Sequence, residues 1–175
     1  MKLLIALLTL LTFNTAFMIP EKIEKKADKV ITKFYEIESF SKQVVAISEV
    51  LNAKTTADFK EGNLFQIISE EKNLGYGYIG TAPSKTATFE YLILFDKDFI
   101  IAKSKVLIYR EEYGGEISSK RWLRQFDGAK AGGAELKYNE DIIPISGATI
   151  SVRSMTRAIN GVLESIAILK KENAL

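Results

Sequence analysis

The sequence predicts an α+β domain in which a mostly antiparallel sheet packs against helices, on three observations. Short apolar runs separated by turn signals fill the middle of the chain, between positions 64 and 109. Apolar residues recur at steps of three and four after Pro20 and again over 152–171. Strands gathered in one block, with helices on either side, are the order of an α+β fold and not of alternating βαβ units.

Pro20 opens the first helical stretch, to which Ile23, Ala27, Val30, Ile31, Phe34 and Ile37 give an apolar face. Lys22, Lys26, Lys29 and Lys33 line another face. Glu21, Glu24 and Asp28 are interleaved with them, so this face reads as solvated rather than as a basic stripe laid on an anionic membrane. Residues 20–60 are taken as an N-terminal helical segment and 64–175 as the main domain. Residues 64–68 read as a strand, followed by the run Gly75-Tyr76-Gly77-Tyr78-Ile79-Gly80 and a loop through Pro83. Residues 89–95 form a buried strand, Asp96-Lys97-Asp98 a turn, and 99–102 with 105–109 the returning partner of a hairpin. The paired glycines Gly114-Gly115 permit positive φ and a close approach of the backbone to a partner. Ser118-Ser119 caps a short helix over 120–126 that carries Trp122, Leu123 and Phe126. A second glycine loop, 128–133, leads to the last helix over 152–171, whose stripe is Val152, Met155, Ile159, Val162, Leu163, Ile166 and Leu169.

Composition narrows the chemistry. At 175 residues the chain is one domain, or one domain with an N-terminal extension. Its 47% hydrophobic content is enough for a real core. The net charge of +2 draws no nucleic acid, and none is expected as a partner. There is no Cys and no His. This excludes thiolate or imidazole zinc sites, iron–sulfur clusters, His- or Cys-ligated haem, and Ser-His-Asp or Cys-His catalysis. A metal would have to be a hard, oxygen-ligated cation, and none is assigned. No catalytic acid–base pair is assigned either.

The chain begins with one lysine, a leucine-rich run over 3–13 and then Asn14-Thr15-Ala16. This reads as a secretory signal peptide over residues 1–16, cleaved after Ala16 or retained as an anchor. The apolar stretch over 3–19 is slightly short for a spanning helix. The expected location is the periplasm or the outer face of the cytoplasmic membrane.

The segment Ser146-Gly147-Ala148-Thr149-Ile150-Ser151 carries the most chemistry. Its small residues let a ligand approach the backbone at a helix start, where unpaired N–H groups and the positive end of the dipole favour a phosphate. Ser146, Thr149 and Ser151 add hydroxyls, while Arg153 and Arg157 add charge one helical turn apart. The same residues also fit an ordinary N-cap, because Ser or Thr commonly precedes an apolar helix. On these residues alone both readings stand.

Ser-Gly-Ala-Thr-Ile-Ser, with an aliphatic strand before it and a helix after it, resembles the flavinylation motif of the FMN-binding domain family. That domain occurs in the C subunit of the Na⁺-translocating NADH:quinone reductase and in the G subunit of Rnf complexes. A Glu- and Gly-containing loop followed by Trp-Leu-x-x-Phe also recurs in the family; here it is 111–116 and then Trp122-Leu123-Arg124-Gln125-Phe126. The likeness spans residues 75–169. It implies FMN joined by a phosphoester to Thr149, with Ser146, Gly147 and Ala148 shaping the phosphate turn and Ser151 helping to hold it. Tyr113, Gly114 and Gly115 would flank the flavin ring, with Tyr76 or Tyr78 as further neighbours. It also implies an exported electron carrier rather than a self-contained enzyme, and an FAD-dependent flavin transferase as the partner that makes the bond. The redox donor and acceptor stay unnamed, a membrane redox complex being one candidate. Two further readings are an exported binding or assembly module of this fold without flavin, and a noncovalent FMN binder. The chain departs from the family at two places. Ile143 stands where an Asp usually precedes the motif, the nearest acid being Asp141. Of the loop commonly written Glu-Thr-Pro-Gly-Leu-Gly, only Glu111 and Gly114 keep register.

Overall fold

A five-stranded antiparallel meander forms the middle layer, its strands neighbours in chain order. The computed structural model describes residues 19–60 and 62–175, so the expected signal peptide lies outside the described residues. The strands are β1 Ser41–Val44, β2 Leu64–Ser69, β3 Lys72–Pro83, β4 Thr88–Phe95 and β5 Ile101–Ile108. The helices are α1 Glu21–Tyr35, α2 Glu49–Asn52, α3 Lys120–Leu123 and α4 Thr149–Lys171, with 3₁₀ turns over Gly115–Ser118 and Arg124–Phe126. The expected α+β class, with a mostly antiparallel sheet, is what the structure has.

Strand β4 explains the layering. Phe89 through Phe95 are all buried, because helices cover both faces of the sheet. Leu92 and Leu94 point to one face and meet Ile23, Ala27 and Ile31 of α1. Phe89, Tyr91, Ile93 and Phe95 point to the other and meet the stripe of α4, with Trp122 and Phe126. Each such side chain contributes about 1.5–3 kcal/mol by leaving water, before the entropy of ordering is counted.

Four expectations change. Ile37 falls past the end of α1, which Glu36 stops by taking φ 55°. The segment over 20–60 is not helical throughout: after α1 it gives the sheet an edge strand, β1, and then the short α2. Residues 75–83 form part of a twelve-residue strand, β3, rather than leading into a loop. Glycines weaken a strand unless something covers the bare backbone. Here the ring of Phe65 lies over Gly77, and the ring of Tyr91 over Gly80, each at under 3.0 Å from where a Cβ would stand. Finally, α4 starts at Thr149, three residues before the predicted Val152.

No helix among the described residues is long and apolar enough to cross a membrane.

Candidate functional site

The start of α4 is built by a turn. Ala148 N donates to Ile145 O at 3.1 Å, and Gly147, third of these four residues, takes φ 74°. A positive φ at that position is the requirement of a type II turn, and it is met most cheaply by glycine. Val152 N then donates to Ala148 O at 2.9 Å, the first helical bond. Ala148 occupies the N-cap position and no side chain caps this end. The N-cap reading of Ser146 and Thr149 is thereby corrected: Thr149 is already helical, and its side chain does not turn back onto the backbone. The first N–H groups of a 23-residue helix therefore face outward, with its positive dipole end.

Ser146, Gly147, Thr149 and Ile150 are exposed, and Ala148 is buried. Ser151 does not join the exposed hydroxyls as expected. It is 2% exposed, and its Oγ shares a hydrogen bond of 3.0 Å with Tyr109 Oη, so it braces the first helical turn from beneath.

The glycine loop reaches this turn from the far end of β5, and three consecutive side chains fix its course. Tyr109 is tied to Ser151. Arg110 forks onto the buried carboxylate of Glu90, with Nη1 to Oε2 at 2.9 Å and Nη2 to Oε1 at 3.0 Å, and also donates to Thr88 O. The carboxylate of Glu111 accepts from Ser84 Oγ at 2.5 Å, Thr86 N at 2.7 Å, Thr86 Oγ1 at 2.9 Å and Ala87 N at 3.3 Å, closing the β3–β4 hairpin. The hydroxyl of Ser84 foremost, and then the amide of Thr86, hold the Glu111 carboxyl at about 2. So anchored, the chain delivers Gly114 at φ 74° against Ala148, where a Cβ on the glycine would come within 2.2 Å of the Ala148 Cβ. Tyr113, 75% exposed, has its Cβ beside Gly147. Gly115 has nothing within 4 Å of a built Cβ, so the fold does not require it to be glycine.

The segment before the motif is held by the Trp-Leu-x-x-Phe helix. Trp122 Nε1 donates to Ile143 O at 2.8 Å, and Ile143 N donates to Gln125 Oε1 at 2.7 Å. Ile143 thus serves through its backbone while its side chain is 65% exposed. Asp141 is exposed, and its Oδ2 accepts from Lys137 N at 2.8 Å in a tight local turn.

The structure thus brings Tyr113, Gly114 and Gly115 together with Ser146, Gly147, Ala148 and Thr149. It does not bring Tyr76 or Tyr78 as free ring neighbours. Tyr76 stacks on Phe99 with centroids 4.1 Å apart. Tyr78 is buried in the core with its hydroxyl on Asp58 O, and burial first, then Asp58, push its phenol up to about 12. Arg153 lies over the ring of Tyr138 at 4.6 Å, and Arg157 is exposed on the next turn. Beside Ile150 these side chains border a depression of about 610 Å³. The tethering roles of Tyr109, Arg110 and Glu111 were not foreseen from the sequence; the dense charge at 110–112 and the register Glu111 keeps with the resembled loop were the available signals.

A model of one known family, the FMN-binding domain, matches residues 85–164. That stretch begins in the turn closed by Glu111 and ends within α4, so it contains the glycine loop, α3 and the motif turn. No curated protein matches the chain.

Proposed function

We propose, from the match of residues 85–164 to the FMN-binding domain family, that the chain is an exported electron-transfer flavoprotein with FMN linked to Thr149. The observation that carries this reading is the meeting of Gly114 with Ala148 at the uncapped start of α4. Two segments more than thirty positions apart converge where the Thr149 hydroxyl stands exposed.

The residues present fit the group. The turn of Ser146, Gly147 and Ala148 leaves room for a phosphate beside the helix start, whose N–H groups and dipole favour its charge. Thr149 supplies the hydroxyl that would become the ester oxygen: its O–H is replaced by an O–P as the pyrophosphate bond of the FAD donor breaks, AMP leaves with the proton, and no oxidation state changes. Of the large hydrophobics exposed among the described residues, Tyr113, Ile143 and Ile150 lie in or beside these segments, and such surface suits the face of a flat ring. The absence of a Cβ on Gly115 leaves its backbone open to close approach. Bound flavin supplies reversible uptake and release of electrons, while the protein attaches and orients it.

Export gives the covalent bond its purpose, since a dissociated flavin would be lost outside the cytoplasm. An FAD-dependent flavin transferase is the partner this reading requires, and a membrane redox complex is a candidate for the electron donor or acceptor. Co-expression with such a transferase should give yellow protein whose colour stays with the polypeptide through acid precipitation. Colour released on precipitation would instead mean a noncovalent FMN binder. Colourless protein, beside an active control substrate, would mean a module without flavin.

A further inference from the structure

A groove of about 570 Å³ runs along the outer edge of β5, between α1 and α3. Lys29 and Lys33 of α1 form one wall, Lys103 and Lys105 the floor, and Lys120 and Arg124 the other wall. Among the described residues none of the six is ion-paired, and Asp127 is the one carboxylate lining the groove. A chain of net charge +2 has therefore concentrated six cations in one concavity. Burial, and next the charge of Lys120, lower the affinity of Lys103 for its proton.

Ser104, between the two floor lysines, turns its buried side chain to the other face of the strand, the face of Ile93. Lysines on an edge strand also guard it against pairing with another chain, which accounts for Lys103 and Lys105. It does not account for Lys29, Lys33, Lys120 and Arg124.

We propose that this groove binds a phosphate-bearing ligand, either a phosphorylated small molecule or the headgroup of an anionic phospholipid, whose oxygens accept from Lys103, Lys120 and Arg124. A phosphate offers several oxygens to donors converging from different elements, and a guanidinium can take two of them at once. Val30, Phe34 and Leu123 add apolar wall between the charges, and Lys103 lies over the Phe34 ring at 5.6 Å. The ligand is therefore expected to carry an apolar or planar portion beside its phosphate. None of these residues belongs to the α4 turn or to the Tyr113 loop, so the inference stands apart from flavin attachment.

The test is an NMR titration of the purified protein with sodium pyrophosphate, and in parallel with phosphatidylcholine vesicles containing phosphatidylglycerol. Saturable shifts at the amides of Lys103, Ser104 and Lys120 are expected, weakening as salt rises. The Lys103→Gln/Lys120→Gln double variant should bind about tenfold more weakly. Saturation by pyrophosphate would identify a soluble source, and a response to the vesicles alone would identify a lipid headgroup. No saturable response to either probe would overturn the proposal. So would shifts spread evenly over other lysines and indifferent to the double variant.

Discussion

Gly114 and Ala148 touch so closely that any side-chain atom on the glycine would collide with the alanine methyl. The contact joins the loop leaving β5 to the turn that opens α4, and it sets the position of Thr149 relative to Tyr113. Gly114→Ala therefore meets two penalties, overpacking against Ala148 and a left-handed φ of 74°. Together these should cost about 2–4 kcal/mol, read as a lowered midpoint in urea. Adding Ala148→Gly should recover the overpacking part and leave the backbone part, which a double-mutant cycle separates. Gly115→Ala should leave stability within about 0.5 kcal/mol, because open space surrounds it. A loss of flavin in that folded variant would locate the ring at Gly115.

Glu111 ties the glycine loop to the β3–β4 turn through charged-form hydrogen bonds, which is why its carboxyl sits at about 2. A folded-state value below the unfolded one stabilises the protein at any pH above the ordinary carboxylate range of about 4.3. The contribution fades as pH falls through that range and is gone below about 2. Carbon-detected NMR of the Glu111 carboxyl should show its midpoint near the lower figure. Glu111→Gln should remove this part of the acid dependence and loosen the amides of Thr86 and Ala87 to hydrogen exchange.

Tyr109 and Ser151 form the brace beneath the first turn of α4. Tyr109→Phe leaves the Ser151 hydroxyl buried and unpaired, at a cost of about 1–3 kcal/mol. Tyr109→Phe with Ser151→Ala should lie closer to wild type than Tyr109→Phe alone, as chemical denaturation would read. Both variants should still accept flavin, since neither changes an exposed group at the motif.

Ile143 stands where the family usually places an acid, and its side chain points outward while its backbone is held by Trp122 and Gln125. Ile143→Asp should therefore leave stability nearly unchanged. If the transferase reads the acid, the variant will be flavinylated faster in a timed reaction with limiting enzyme. An unchanged rate would mean that recognition rests on other residues.

How much of this was legible depends on how far apart the cooperating residues are. β4, the stripe of α4 and the Ser119 cap of α3 follow from local periodicity and spacing, and all three appear in the structure. β1 was missed because three of its four residues are exposed and show no alternation. β3 was cut short because its glycines read as loop until the rings of Phe65 and Tyr91 are placed over them, and those rings come from neighbouring strands. The motif turn was legible as a candidate because its residues are contiguous. Its support was not: the partners of Tyr109, Arg110 and Glu111 lie 42, 20 and 27 positions away. Nor could the sequence show that α4 begins at Thr149 without a side-chain cap, since Ser and Thr before a helix look alike whether they cap it or bind a ligand.

The most direct test of the central claim is mass spectrometry of the tryptic peptide running from Tyr138 to Arg153, taken from protein co-expressed with a flavin transferase. That peptide holds Ser146, Thr149 and Ser151, and fragmentation distinguishes the three hydroxyls. The expected result is a mass gain of one FMN less one water, carried by Thr149 and absent from Thr149→Ala. An unmodified peptide from protein shown to be folded, beside a control substrate that the same transferase has modified, would contradict it.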